Sequence, residues 1–139
     1  MFLKQLSIFV ENRLGAIAEA TEVLAANNIN IRALTTADTT DFGILRLIVD
    51  KPELAAKKLR ENSIIVNVSN VIGIKLDDTP GSFHKVLKIL SESGIAVEYS
   101  YAFVSPFAGS ANIILRVQDE HTALRVLTDN NIKFIEEVN

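Results

Sequence analysis

The chain contains no cysteine, which excludes disulfides, thiolate metal ligands and a cysteine nucleophile. No apolar run approaches the roughly 20 residues that a membrane-spanning helix needs. The opening Met1-Phe2-Leu3-Lys4-Gln5-Leu6-Ser7 turns polar too soon for a signal peptide, so a cytoplasmic protein is expected. Positive charge is scarce too: 14 Lys and Arg stand against 17 Asp and Glu, a formal net charge of −3. Apart from short pairs such as Lys57-Lys58, the basic residues are dispersed. Phosphate backbones require a concentrated positive face, so nucleic acid is not an expected partner.

Reactive constellations are missing as well. His84 and His121 stand apart, without a clustered carboxylate pattern, so no metal site is expected and both read as surface helix residues. No arrangement of Ser, Asp and His suggests a catalytic triad. Gly73, Gly94 and Gly109 fit neither Gly-x-Gly-x-x-Gly nor the Walker spacing. Neither catalysis nor a cofactor is expected.

What the sequence does have is a duplication. Glu11-Asn12-Arg13-Leu14-Gly15, a helical stretch and Asn28-Ile29-Asn30-Ile31 are echoed about 66 residues later. The second copy reads Asp77-Asp78-Thr79-Pro80-Gly81, a helical stretch and Gly94-Ile95-Ala96-Val97. Ala55 to Asn62 then lies over Ala123 to Asn130. Units of about 70 residues have marginal cores alone, and packing two together adds buried area. Residues 1–69 and 70–139 are expected to form the two domains. With 48% hydrophobic and 22% charged residues the chain reads as globular and well folded.

The patterning gives each copy the order βαββαβ. In the first, Gln5 to Val10 alternates as a strand. A helix from about Ala16 to Ala26 puts Ile17, Ala20 and Leu24 on one face. Ile29 to Thr35 and Gly43 to Val49 follow as strands around a polar hairpin tip at 37–41. Asp50-Lys51-Pro52-Glu53 is a helix start with Asp50 as cap, and Ala55, Ala56 and Leu59 form the buried face. Ile64 to Val68 closes the unit, and Asn67 to Asn70 is a very short linker.

In the second copy Val71 to Leu76, Ile95 to Phe103, Ala111 to Val117 and Lys133 to Glu137 are strands. Ser82 to Ser91 is a helix striped by Phe83, Val86, Leu87 and Leu90, and Glu120 to Thr128 is another. The class is α+β: two tandem ferredoxin-like units, each a four-stranded antiparallel sheet with two helices on one face. One sheet face in each unit lacks a helix cover.

Candidate binding residues gather at the strand-to-helix turns. Free N–H groups at a helix start can hold a carboxylate, and Gly permits close approach. In the second copy Asp78, Thr79, Pro80, Gly81 and Ser82 occupy this position, with Asp77 or Asp78 available to an ammonium. In the first copy Glu11, Asn12, Arg13, Leu14 and Gly15 do so. The same residues also serve as ordinary turns and caps. Asn30 can reach back to the turn for a ligand, or close it structurally; the second copy has Ala96 there. Asp38 to Gly43, and Tyr99, Tyr101 and Phe103, suit either a pocket wall or an apolar interface.

In this order and duplication the chain resembles the ACT-domain family in its tandem form. The stretch Ala37-Asp38-Thr39-Thr40-Asp41-Phe42-Gly43-Ile44-Leu45-Arg46 is similar to the first repeat of stand-alone tandem members. The resemblance covers almost the whole chain. It implies a regulatory module that binds a free amino acid between paired domains and reports to a separate metabolic enzyme. It maps ligand contacts onto Asn12, Arg13, Leu14 and Gly15, onto Thr79, Pro80, Gly81 and Ser82, and onto Asn30. Leu14 departs from the family's proline and Ala96 from its second asparagine, so one composite site and two sites both remain open. A homodimer is expected. The contrasting expectation is a structural or protein-interaction module of degenerate ACT-like domains, without affinity for free amino acids.

Overall fold

A computed structural model of the chain describes residues 2–38, 42–103, 105 and 108–136. It divides into two compact units, residues 4–69 in one and residues 70–136 with Phe2 and Leu3 in the other.

The first unit contains β1 (Leu3–Glu11) from Lys4 onward, α1 (Ala16–Ala26), β2 (Ile31–Asp38), β3 (Phe42–Val49), α2 (Pro52–Glu61) and the start of β4 (Val66–Asp77). β1 and β2 both pair antiparallel with β3, with Ile8 opposite Leu45 and Leu34 opposite Leu47. Strand alternation sends Leu6, Ile8 and Val10 of β1 and Leu45, Leu47 and Val49 of β3 to the helix side. There they meet Ala16, Ala20 and Leu24 of α1 and Ala55, Ala56 and Leu59 of α2. A fully buried leucine such as Leu6 or Leu59 contributes about 1.5–3 kcal/mol by leaving water. Ile17, expected on the buried face of α1, is 46% exposed. Ala16 takes its place, because Ala16, Ala20 and Leu24 recur every four residues along one stripe and Ile17 lies one position round the helix from it. The side without helices is also buried in part, at Gln5, Ala33 and Ile48.

The second unit contains the rest of β4, α3 (Ser82–Glu92), β5 (Val97–Phe103), β6 (Ser110–Val117), α4 (Glu120–Asp129) and β7 (Lys133–Phe134). β6 lies between β4 and β5, and β7 pairs the other edge of β4. Ile72, Ile74, Leu115 and Val117 pack against Val86 and Leu90 of α3 and Ala123 and Leu127 of α4. Phe2 joins this core and meets His121 edge-on, with ring centroids 5.4 Å apart. Gly73 leaves room for its neighbours: an added Cβ would stand 2.7 Å from Leu3 Cδ1 and 3.1 Å from Ile135 Cβ.

Two separate four-stranded sheets are not what the chain forms. The hydrogen-bonded order runs β2-β3-β1-β4-β6-β5, with β7 also on β4: one seven-stranded sheet. β4 closes the first ferredoxin-like order and opens the second. The expected linker Asn67–Asn70 lies inside this twelve-residue strand. A ladder is made of backbone groups, so polar side chains do not end it, and this stretch contains neither proline nor glycine. The last strand is shorter than expected, Lys133–Phe134. Residues 39–41 of the expected hairpin tip and Glu137 lie outside the described residues. Among the described residues no helix is long and apolar enough to cross a membrane.

Candidate functional site

The duplication is most literal in the backbone of the two strand-to-helix turns. Arg13 N–H donates to Glu11 O at 2.8 Å, and Thr79 N–H to Asp77 O at 2.9 Å. Ala16 N–H donates to Arg13 O and Ser82 N–H to Thr79 O, both at 3.3 Å. Gly15 and Gly81 precede their helices with φ of 83° and 88°, the left-handed region that glycine enters without a Cβ clash. Neither helix has a side-chain cap at its start. The amides of Ile17 and Ala18, and of Phe83 and His84, therefore have no intrahelical acceptor and point out of the first turn.

The side chains on these matching backbones differ. In the first copy Arg13 Nε donates to Glu11 Oε2 at 2.9 Å, while Nη1 and Nη2 reach Glu19 Oε1 and Oε2 at 2.9 and 2.6 Å. The hydrogen bonds from Arg13 hold the Glu19 carboxyl below its ordinary range, and both carboxylates push the guanidinium's pKa up. Asn12 and Leu14 are exposed, Leu14 completely. In the second copy the Thr79 and Ser82 hydroxyls are 2.8 Å apart, and Asp78 N–H donates to Gly109 O at 3.0 Å. Asp78, Thr79, Pro80 and Gly81 are exposed and Ser82 is half-buried.

Cavities flank both turns. One of about 310 Å³ is walled by Phe9, Glu11, Arg13, Glu19, Phe42 and Ile65, among others. A second, of about 380 Å³, shares Glu11 and Arg13 and adds Asn12, Ile17, Thr36 and Gly43. In the second unit a cavity of about 220 Å³ is lined by Lys75, Leu76, Asp77, Ser82, Lys85, Asn131, Ile132 and Lys133. Glu11 and Arg13 thus line two hollows and Asn12 one of them, whereas Ser82 alone of the second candidate set lines the third.

Asn30 stands elsewhere. It follows the C-terminal end of α1, whereas the turn precedes its N-terminus, and eleven helical residues span about 16 Å. Its N–H donates to Asp50 Oδ1 at 2.9 Å and its carbonyl accepts from Asp50 N–H at 3.1 Å. It lines a different hollow, with Ala18, Thr21, Ile29 and Ile31. Asp50 was the expected cap of α2. The cap position is Lys51, without a side-chain bond, because the Asp50 carboxylate is engaged by Asn30.

Tyr101 and Phe103 are buried, and Tyr99 stacks on Tyr101 with ring planes 20° apart. His84 and His121 are exposed on their helices. Among the described residues no group of three His, Asp or Glu side chains could hold a metal ion. Sequence reasoning missed Glu19, which faces Arg13 only because the turn folds back on α1.

Known structures match over nearly the full length. The chain is 42% identical to protein BT0572 from Bacteroides thetaiotaomicron, with 97% of this chain and 92% of that one covered and a TM-score of 0.92. The regulatory subunit of aspartate kinase from Thermus thermophilus, in its ligand-free form, shares the fold at 14% identity and a TM-score of 0.64, with 91% of each chain covered. Aspartate kinase from Clostridium acetobutylicum matches at 10% identity and a TM-score of 0.54, over 92% of this chain and 33% of that one. No curated protein matches the chain. The ACT domain pair model spans residues 1–139, and the chain belongs to that family.

Proposed function

We propose that the chain is a regulatory protein linked to amino-acid metabolism, which binds a free amino acid and acts on a separate enzyme. ACT domains are regulatory modules and not catalysts. The observation that carries the reading is the pair of glycine turns, each opening a helix whose first amides lack a cap. Such amides suit the carboxylate of an amino acid, and the adjacent Asp77 and Asp78 suit its ammonium. The second-copy turn, Asp78 to Ser82, is the better receptor, because Arg13 of the first copy is already occupied by Glu11 and Glu19. Glu11, Asn12, Arg13, Leu14, Gly15 and Asn30 are then a subsidiary set that a ligand reaches by displacing those contacts. The similarity to aspartate kinase regulatory chains supports the amino-acid link at the level of fold.

A cytoplasmic homodimer is the assembly this reading expects, and exposed Phe9, Leu14, Phe42 and Ile65 supply apolar surface for it. The contrasting reading, an interaction module without an amino-acid ligand, draws on the closed Arg13 cluster. A thermal-shift screen against the twenty amino acids separates the two. Ligand binding to the folded state raises Tm, and Gly81→Val (G81V), with Gly15→Val (G15V) as its counterpart, locates the effect. Selective stabilisation lost in G81V supports the sensor. A flat response to all twenty removes it and leaves the interaction module.

A further inference from the structure

We infer that the hollow of about 380 Å³ beside the first glycine turn receives the side chain of the bound amino acid, and that this side chain is small and aliphatic, of about valine's size. The inference rests on the amino-acid reading above and adds which side chain the site admits. The first turn, subsidiary for the charged end of a ligand, is the one with room for its side chain. Strand alternation puts Val10 of β1, Thr36 of β2 and Gly43 of β3 on the helix side of the sheet: Val10 stands opposite Gly43, and Thr36 opposite the core residue Leu45. Ile17 of α1 lines the same hollow, and the turn Glu11-Asn12-Arg13 borders it. The Arg13 guanidinium is held by Glu19, which lies two residues, and so more than half a turn, round α1 from Ile17. The floor made by Val10, Ile17, Thr36 and Gly43 therefore offers apolar groups and one hydroxyl, with no charged partner for a ligand side chain.

The second copy shows how such a hollow closes. The repeat places Leu76 over Val10, Phe83 over Ile17, Ala102 over Thr36 and Ala111 over Gly43. Leu76 and Phe83 pack against the core of their unit, whereas Ile17 is 46% exposed and stays out of its own. Relative to the second copy, Ile17 lacks three side-chain carbons, and Val10 and Gly43 lack one each, while Thr36 adds two heavy atoms. The net difference, three heavy atoms, is an isopropyl group. The hollow is also near the small end of the range for ligand sites, about 300–1,000 Å³, which suits an amino acid and not a nucleotide. Gly43 keeps it open: a Cβ there would stand 3.3 Å from Val10 Cγ2 and 3.5 Å from Ala37 O. Its φ lies outside the left-handed region, so glycine here answers a need for space and not for backbone freedom.

The test is a titration of the full chain with L-valine, followed by amide NMR shifts, with L-phenylalanine and L-lysine as probes of size and charge. Saturable shifts at residues 10–17, 36 and 43 are expected with L-valine, and binding of the other two weaker by about tenfold or more. Ile17→Phe and Gly43→Ala give the first copy the second copy's residues, and each should weaken L-valine binding by about tenfold. Ile17→Phe should also keep or raise the Tm without ligand, because Phe83 packs on the core at the repeat-related position, so lost binding is not lost fold. Unchanged L-valine affinity in both variants, or shifts gathered at residues 78–83 instead, overturns the hollow as the side-chain site while the chain still binds an amino acid. Binding of L-phenylalanine or L-lysine as tight as that of L-valine overturns it as well. If none of the twenty amino acids binds, the amino-acid reading falls and this inference with it.

Discussion

Arg13 grips Glu19 through two parallel hydrogen bonds, Nη1 to Oε1 at 2.9 Å and Nη2 to Oε2 at 2.6 Å, and keeps its Nε for Glu11. A fork of this geometry matches a carboxylate in a way a lysine cannot. The hydrogen bonds from Arg13 lower the Glu19 pKa from the ordinary 4.5. Because the folded value is the depressed one, the contact's stabilisation is present above the unfolded value. It is lost as pH falls through the folded value. Side-chain carboxyl NMR of the intact chain should find Glu19 titrating below the ordinary glutamate range. In Arg13→Ala it should return to that range; an unchanged midpoint would mean that the pair does not persist in solution.

This cluster also marks how far the sequence could be read. The order of strands and helices, the α+β class and the bounds of α1 follow from period and turn residues, since Leu6, Ile8 and Val10 alternate and Gly15 and Asn27 bracket the helix. The continuity of β4 did not follow. Asn67, Ser69 and Asn70 carry the side chains of a linker, and only pairing with neighbouring strands holds them extended. The turns were found by their glycines, but not what they face. Glu19 is brought beside Arg13 by packing, which leaves no local signature. Asp50 illustrates competition: its side chain suits a cap, and a backbone amide twenty residues away in sequence claims it instead.

Gly73 and Leu3 provide a packing test. A Cβ on Gly73 meets Leu3 Cδ1 at 2.7 Å and Ile135 Cβ at 3.1 Å, so Gly73→Ala over-packs this part of the sheet. Overpacking of this kind costs about 1–3 kcal/mol. Leu3→Ala alone removes a buried side chain, at about 2–5 kcal/mol. The double variant should be more stable than the sum of the two losses by at least about 0.5 kcal/mol, the scale of coupling between contacting residues. Urea unfolding of the four proteins measures it, and strict additivity would show that Ile135, not Leu3, sets the limit.

The two copies also predict how to strengthen one of them. Asp119 caps α4, its Oδ1 accepting from Thr122 N–H at 3.1 Å, and hydrogen bonds from the Thr122 hydroxyl and then from its N–H lower the Asp119 pKa from its ordinary 3.8. The repeat-related position before α2 is Lys51, with a similar backbone (φ −135°, ψ 71° against −109°, 84°) and no cap bond. Lys51→Asp places an acceptor where the Leu54 amide has no intrahelical partner, and a new cap of this kind is worth about 0.5–2 kcal/mol. Some of that gain is offset by the lost bond from Lys51 Nζ to Asn28 O at 3.0 Å, so a net stabilisation of about 1 kcal/mol is expected. Asp119→Ala should act in the opposite direction. A depressed folded pKa means the cap stabilises above the ordinary aspartate value and stops doing so as pH falls through the lowered one. Thermal unfolding at neutral pH should therefore rank Lys51→Asp above the parent and Asp119→Ala below it. In acid, below the ordinary aspartate range, the parent and Asp119→Ala should converge; a gap that persists there would locate the loss in packing and not in the cap.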